Sequence, residues 1–179
     1  MSLRTMLRSQ TADDHAAVDA VFGRFRLDNP AEYRAFLSAH ARAVPAIELA
    51  LEEGGIERLI PDWNERRRRE RLADDLEKLA QPVPPPIVVA PISGDAALWG
   101  AAYVLEGSKL GVAMLAKQVP EHLPVSYLGH QGPKGAMKAF MEQLDAAEGL
   151  DHERTAASAR AVFDHFRHAA ALEVELLVT

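Results

Sequence analysis

Apolar residues recur at spacings of three and four along almost the whole chain, which is the period of an amphipathic α-helix. The pattern predicts six helices, at about residues 3–25, 33–54, 62–79, 93–119, 134–147 and 151–177. Only residues 87–89, Ile-Val-Val, read as a strand, and Pro45 predicts a kink in the second helix. These patterns indicate an all-α, single-domain helical bundle.

The segment QPVPPPIVVAPIS, residues 81–93, contains five prolines and interrupts the helical pattern. Proline removes a backbone donor and blocks helix continuation, so we expect an extended connector across the surface. No internal repeat accompanies it, and 179 residues suit one ordinary domain. We therefore predict a single domain over residues 1–179.

The composition excludes several classes of function. The 26 acidic residues outnumber the 20 basic ones, giving a net charge of −6, which argues against a nucleic-acid partner. There is no cysteine, so thiolate metal sites and disulfides are excluded and a cytoplasmic location is favoured. No apolar run has the length of a signal peptide or membrane span. We expect a soluble, unprocessed protein with no membrane partner.

Polar residues of the first helix share one face. Arg8 precedes His15 by seven residues, nearly two turns, so both side chains can meet one ligand. Asp19 lies one turn after His15, where its carboxylate can accept a hydrogen bond from one imidazole nitrogen and leave the other free for a metal. The alternative is that His15 is an incidental residue on a solvated helix.

Three glycines, Gly100, Gly107 and Gly111, fall along one stripe of the fourth predicted helix. Glycine inside a helix costs about 1 kcal/mol relative to alanine, so such a stripe calls for a reason. Either another helix packs closely against it, or a flat ligand lies against the exposed backbone.

Two segments resemble those of a known family. YVLEGSKLG, residues 103–111, resembles the distal-helix signature of bacterial heme oxygenases, particularly the phytochrome-associated type. LRSQTADDHAAVD, residues 7–19, is similar to the first helix of the same family. The two motifs occur in the expected order on helices of the expected kind, and the length and helix count of the whole chain agree with the family.

The resemblance implies that heme lies between the first helix and the glycine-bearing helix. His15 is then the proximal ligand to the iron, Arg8 pairs with a heme propionate, and Thr11 and Asp19 complete the proximal side. A neutral histidine ligand suits oxidation of the macrocycle, because a stronger electron-donating ligand would favour cleavage of the O–O bond.

On the distal side, the resemblance assigns Gly107, Ser108 and Gly111 to the catalytic wall and its proton path. The implied reaction cleaves heme, which is both cofactor and substrate, to biliverdin, carbon monoxide and ferrous iron. It also implies an electron donor such as ferredoxin or a flavin reductase, and a supply of biliverdin to a phytochrome.

The sequence departs from the family pattern at two positions. Many animal members carry aspartate where this chain has Ser108, although the bacterial subgroup tolerates serine. Val112 replaces a second glycine, and it either narrows the distal pocket or faces the next helix. Two other functions stay open: a heme carrier or sensor without catalysis, and a helical interaction protein without heme.

Other charged residues and histidines are assigned to the surface. The run ERRRRER, residues 65–71, is interpreted as a solvated helix face, with recognition of an acidic partner as the alternative. His40, His165 and His168 are expected to be surface residues. Lys138, Arg160 and Arg167 are candidates for the second propionate, with no motif to choose among them.

Overall fold

The computed structural model describes residues 1–179 and contains nine α-helices and no strand. The helices are α1 (Leu3–Gln10), α2 (Ala12–Phe22), α3 (Pro30–Glu53), α4 (Trp63–Arg66), α5 (Arg69–Lys78), α6 (Asp95–Leu115), α7 (Ser126–Gly129), α8 (Ala136–Ala146) and α9 (His152–Leu177). This confirms the predicted all-α class, and residues 81–93 contain no helix, as the prolines predict.

Helix α9 is the centre of the bundle, because α2, α3 and α6 all pack along it. The side chains between these helices form a single cluster of 41 buried residues, which makes one continuous core. Tyr33, Phe36 and Phe140 are among its fully buried members. None of the helices combines the length and the apolar run that crossing a bilayer requires.

Two predicted helices are each broken in two. The first ends at Gln10 and restarts at Ala12, because Thr11 leaves helical geometry while its hydroxyl donates to Leu7 O at 2.8 Å. The third divides into α4 and α5 around Arg67 and Arg68. The short helix α7 lies where no periodic pattern predicts one. The prediction of six helices is therefore wrong in number, although all six predicted segments contain helix.

The break between α4 and α5 turns two arginines inward, so the interpretation of residues 65–71 as a solvated face is wrong for Arg66 and Arg68, whereas Glu65, Glu70 and Arg71 are exposed. Arg66 is 1% exposed and binds Asp62 and Glu106 through N···O distances of 2.8 and 2.9 Å. Lys109 Nζ donates to the other oxygen of Glu106 at 2.6 Å. The Arg66–Glu106 pair joins α4 to α6 inside the protein, where Arg66 is unavailable to a partner.

Gly100 serves the contact between α6 and α9. A Cβ atom at this position would lie 2.1 Å from Thr155 O and 3.1 Å from the Ser158 Cβ. The helices also exchange a side-chain hydrogen bond here, since Ser158 Oγ donates to Ala97 O at 2.7 Å. This part of the glycine stripe is therefore explained by helix packing.

Candidate functional site

A cavity of about 580 Å³ opens between α2 and α6, with α3 and α9 at its inner end. Its volume lies within the range of pockets that hold organic ligands. Most lining side chains are apolar or aromatic. The lining comprises Arg8, Thr11, Ala12, His15, Val18, Asp19, Phe22, Phe36, His40, Tyr103, Val104, Gly107, Ser108, Gly111, Val112, Leu115, Met141, Phe163 and Phe166.

The α2 side of the cavity presents His15. Its Nδ1 lies 3.2 Å from Asp19 Oδ2, one helical turn away, and its ring packs edge-on against Phe163 with centroids 5.7 Å apart. The His15 side chain is 64% exposed, so its ring is accessible from the cavity. A carboxylate bound to Nδ1 holds the proton there, and the Nε2 lone pair is then free to coordinate a metal.

Arg8 and Thr11 both line the cavity, but they differ in what they offer a ligand. Arg8 is exposed, makes no ion pair within the protein and is the only lysine or arginine of the lining. It can therefore receive an acidic group of a ligand. Thr11 is 2% exposed and its hydroxyl already donates to the backbone of α1. Its contribution to the cavity is shape rather than a hydrogen-bond donor.

The α6 side presents bare backbone. A Cβ atom built at Gly107 or at Gly111 would meet nothing within 4 Å, in contrast to Gly100. Two of the three glycines thus border open space, which a flat ligand can fill by lying against the helix. Val112 lines the cavity and is 7% exposed, so its side chain limits the depth of this space.

His40 is buried at the inner end of the cavity, so its expected surface location is wrong. Phe22, Phe36, Tyr127 and Phe166 surround the ring, with centroids 4.4 to 5.9 Å away. Its Nδ1 lies 2.9 Å from Phe36 O and must donate, because a carbonyl only accepts. Nε2 makes no hydrogen bond within the protein. Burial lowers the pKa of His40 to about 3, so the ring stays neutral.

Behind the cavity wall, Glu48 caps the first turn of α5. Its carboxylate accepts the backbone N–H groups of Arg68 at 2.7 Å and Arg69 at 3.2 Å. Burial raises the pKa of Glu48 to about 7, and these hydrogen bonds oppose that rise without cancelling it. A charged and a neutral form of Glu48 therefore coexist near neutral pH.

Glu48 and His40 are expected to act on stability in opposite directions as pH changes. Glu48 has a pKa of about 7 in the folded protein against an ordinary value of 4.5. The contribution of its titration to the free energy of unfolding is therefore lost as pH rises from about 4.5 to 7. For His40 the values are about 3 and 6.5, so its contribution is lost as pH falls from about 6.5 to 3. Each group changes the free energy of unfolding by about 1.4 kcal/mol per pH unit within its range. The two changes have opposite signs, so they cancel between about pH 4.5 and 6.5, where the ranges overlap.

Single variants separate the two slopes. Urea unfolding of Glu48→Gln at pH 5, 6 and 7 should show that the free energy of unfolding of the variant, relative to that of the wild type, increases as pH rises. For His40→Phe, the free energy of unfolding relative to that of the wild type should increase as pH falls below 6.5. If the difference between either variant and the wild type is the same at every pH, the assigned titration is wrong.

The cavity suits a flat, largely apolar ligand that carries an acidic group and a metal atom. Arg8 lies at one end to meet the acid, His15 offers a nitrogen, and Gly107 and Gly111 leave room above. Lys138, Arg160 and Arg167 do not line the cavity; Lys138 lies 3.8 Å from Glu142, and Arg167 pairs with Asp164. The sequence signal did not identify the inner wall, because His40 and its aromatic neighbours belong to four different helices, α2, α3, α7 and α9.

One curated relative bears on the family of the chain. A heme oxygenase of Xanthomonas campestris pv. campestris (strain 8004) is 34% identical over 152 residues, which are 79% of this chain and 90% of the relative. No family model matches the chain.

Two solved structures share the fold. The NO- and CO-bound heme oxygenase of Neisseria meningitidis aligns with a TM-score of 0.78 at 20% identity, over 97% of this chain and 92% of that one. The heme oxygenase of Leptospira interrogans aligns with a TM-score of 0.71 at 21% identity, over 95% and 98% of the two chains. The α2–α6 cavity thus lies in a fold that both proteins have.

Proposed function

The chain belongs to the heme oxygenase family, and on that premise we propose that it binds heme between α2 and α6 and cleaves it to biliverdin, carbon monoxide and ferrous iron. The observation that carries the proposal is the open space along Gly107 and Gly111, opposite the His15–Asp19 pair. Heme is the substrate, and it supplies the iron at which oxygen is activated as well as the macrocycle that is cleaved.

His15 is proposed as the axial ligand. Asp19 fixes its proton on Nδ1, so Nε2 is the coordinating atom, and a neutral imidazole in this position donates electrons less strongly than a thiolate does. The edge-on contact with Phe163 of α9 limits rotation of the ring. The pair is exposed to the cavity, and a ligand that fills the cavity would exclude water from it.

Gly107, Ser108 and Gly111 are proposed as the distal wall. The two glycines bring the backbone of α6 close to the ligand plane, and a wall that close leaves only a small volume for oxygen. Ser108 Oγ lines this volume and is held between Leu105 O and Arg68 Nη2, each at 2.8 Å. Val112 sets the depth of the same volume.

Arg8 is proposed to bind one propionate, with a charge-assisted hydrogen bond. Because no second lysine or arginine lines the cavity, this contact would dominate the in-plane orientation of the ligand. Electrons must come from outside the cavity, since its lining side chains cannot supply reducing equivalents turnover after turnover. We assign that role to an external donor such as ferredoxin or a flavin reductase, and we propose that the biliverdin passes to a phytochrome.

Adding hemin to the purified protein, followed by a reductant and oxygen, tests the proposal. We expect a Soret band that saturates at one hemin per chain, and then its replacement by the absorption of biliverdin. A Soret band that persists through reduction and oxygenation would indicate a heme carrier, with Val112 closing the oxygen site. The absence of a heme-protein spectrum would contradict heme binding itself.

A further inference from the structure

Arg68 is a buried cation without an ion pair. Its side chain is 1% exposed, and its neighbours Arg66, Arg67 and Arg69 all contact carboxylates, whereas the Arg68 guanidinium contacts none. Glu48 accepts the backbone N–H of Arg68 and not its guanidinium. An unpaired buried charge is costly, so its retention at this position calls for a reason.

The guanidinium is directed at the cavity wall. Nη2 donates to Ser108 Oγ at 2.8 Å and to Leu105 O at 3.3 Å, while Nη1 has no hydrogen-bond partner. Cζ lies 4.8 Å from the centre of the Tyr127 ring, whose face partly compensates the positive charge. Arg68 is thus separated from the cavity by a single side chain, Ser108.

The hydroxyl hydrogen of Ser108 can be redirected without loss. It now points to Leu105 O at 2.8 Å, but Leu105 O also receives Arg68 Nη2 and keeps that donor if the hydroxyl turns away. Arg68 meanwhile holds the Ser108 oxygen in place by donating to it. The hydroxyl can therefore rotate toward the cavity and donate to a ligand there, polarised by the cation behind it.

We propose that Arg68 is a positioning residue that, through Ser108, makes the α6 side of the cavity a site for a small anion or for negative charge on a small ligand. This inference rests on the proposed function, because such a ligand would sit on the iron of bound heme. Positive charge placed in advance where negative charge develops costs no reorganisation, which is how a protein stabilises an anionic state in a dry site. The cation then gains a negatively charged partner on the cavity side when the ligand arrives.

Azide, an anion, and carbon monoxide, a neutral ligand of similar size, are the probes. We expect the azide affinity of the ferric hemin complex to fall about tenfold to a hundredfold in Arg68→Gln and in Ser108→Ala, the range for a hydrogen bond to a charged group. Carbon monoxide affinity of the ferrous complex should stay within about threefold in both variants, because a neutral ligand gains little from the charge.

The matched control is Arg67→Gln, which removes the same charge from the neighbouring half-buried arginine that pairs with Glu52 and Glu70 outside the cavity lining, and it should leave azide affinity unchanged. In the double variant of Arg68 and Ser108, the fold-loss of azide affinity should be clearly smaller than the product of the two single fold-losses, because Arg68 acts on the ligand through Ser108. Ser108→Ala leaves the buried cation in place, so it tests the proposal even where Arg68→Gln does not fold.

The outcomes separate this inference from the function on which it rests. Unchanged azide affinity in Ser108→Ala and in every folded Arg68 variant overturns the role of Arg68 and leaves heme binding standing. Equal losses of affinity for azide and for carbon monoxide also overturn the proposed role of Arg68, since they indicate that the variants change the shape of the cavity rather than its charge. A wild-type protein that forms no hemin complex overturns both proposals.

Discussion

Alanine at Gly100 is expected to destabilise the protein by about 2 kcal/mol or more, whereas alanine at Gly111 on the same helix should stabilise the ligand-free protein by about 1 kcal/mol. At Gly100 the new Cβ would lie 2.1 Å from Thr155 O, a backbone atom that cannot move without separating α6 from α9. At Gly111 the Cβ meets nothing, so only the higher helix propensity of alanine remains.

Urea unfolding of the two variants and of Gly107→Ala measures this difference. Gly107 is the internal control, because its Cβ also meets open space and should give the same sign as Gly111. Hemin binding should respond in the opposite direction to stability. We expect hemin titration to show weaker binding in Gly107→Ala and Gly111→Ala than in the wild type. If all three alanines changed stability equally, the division of the stripe into a packing glycine and two ligand-facing glycines would be wrong.

Replacing His15 by alanine is expected to have the largest effect on ligand binding. Removing a group that orients a metal ligand typically lowers metal affinity tenfold to a hundredfold, and we expect a loss of about this size for Asp19→Asn. His15→Ala removes the ligand itself and should weaken hemin binding further. Added imidazole should restore the spectrum of a histidine-ligated heme, because the truncated side chain leaves room for it.

His165→Ala is the matched control for this variant, since it removes a helical histidine of α9 that does not line the cavity. Hemin affinity and the Soret maximum of each variant are the measurements. A His15→Ala protein with wild-type affinity and spectrum would refute the assignment of the axial ligand.

Periodicity was sufficient to locate the six long helical segments, but it missed the short helix α7. It did not locate the helix ends. At the first break the hydroxyl of Thr11 bonds Leu7 O one turn back, a contact that also occurs inside continuous helices, so the residue type does not mark the break. At the break before α5, Glu48 caps Arg68 and Arg69 from a distant helix, and this contact has no signature in the local sequence.

In the cavity, too, local sequence predicts some residues and tertiary contacts decide the others. Arg8, His15 and Asp19 share one stretch of sequence, and their spacing predicts that they face one ligand. His40 instead reaches the cavity through tertiary packing, and Arg68 reaches only its wall, at Ser108. A run of arginines ordinarily indicates solvent, and only the structure shows which members of the run turn inward.

Resonance Raman spectroscopy of the ferrous hemin complex identifies the axial ligand of the iron, because the stretching band between iron and histidine reports that ligand itself. Two histidines, His15 and His40, line the cavity, so the band must be assigned to one of them. We expect a band that shifts on labelling histidine with ¹⁵N, disappears in His15→Ala and persists in His40→Phe. A band that survives in His15→Ala and is lost in His40→Phe would contradict the assignment to His15.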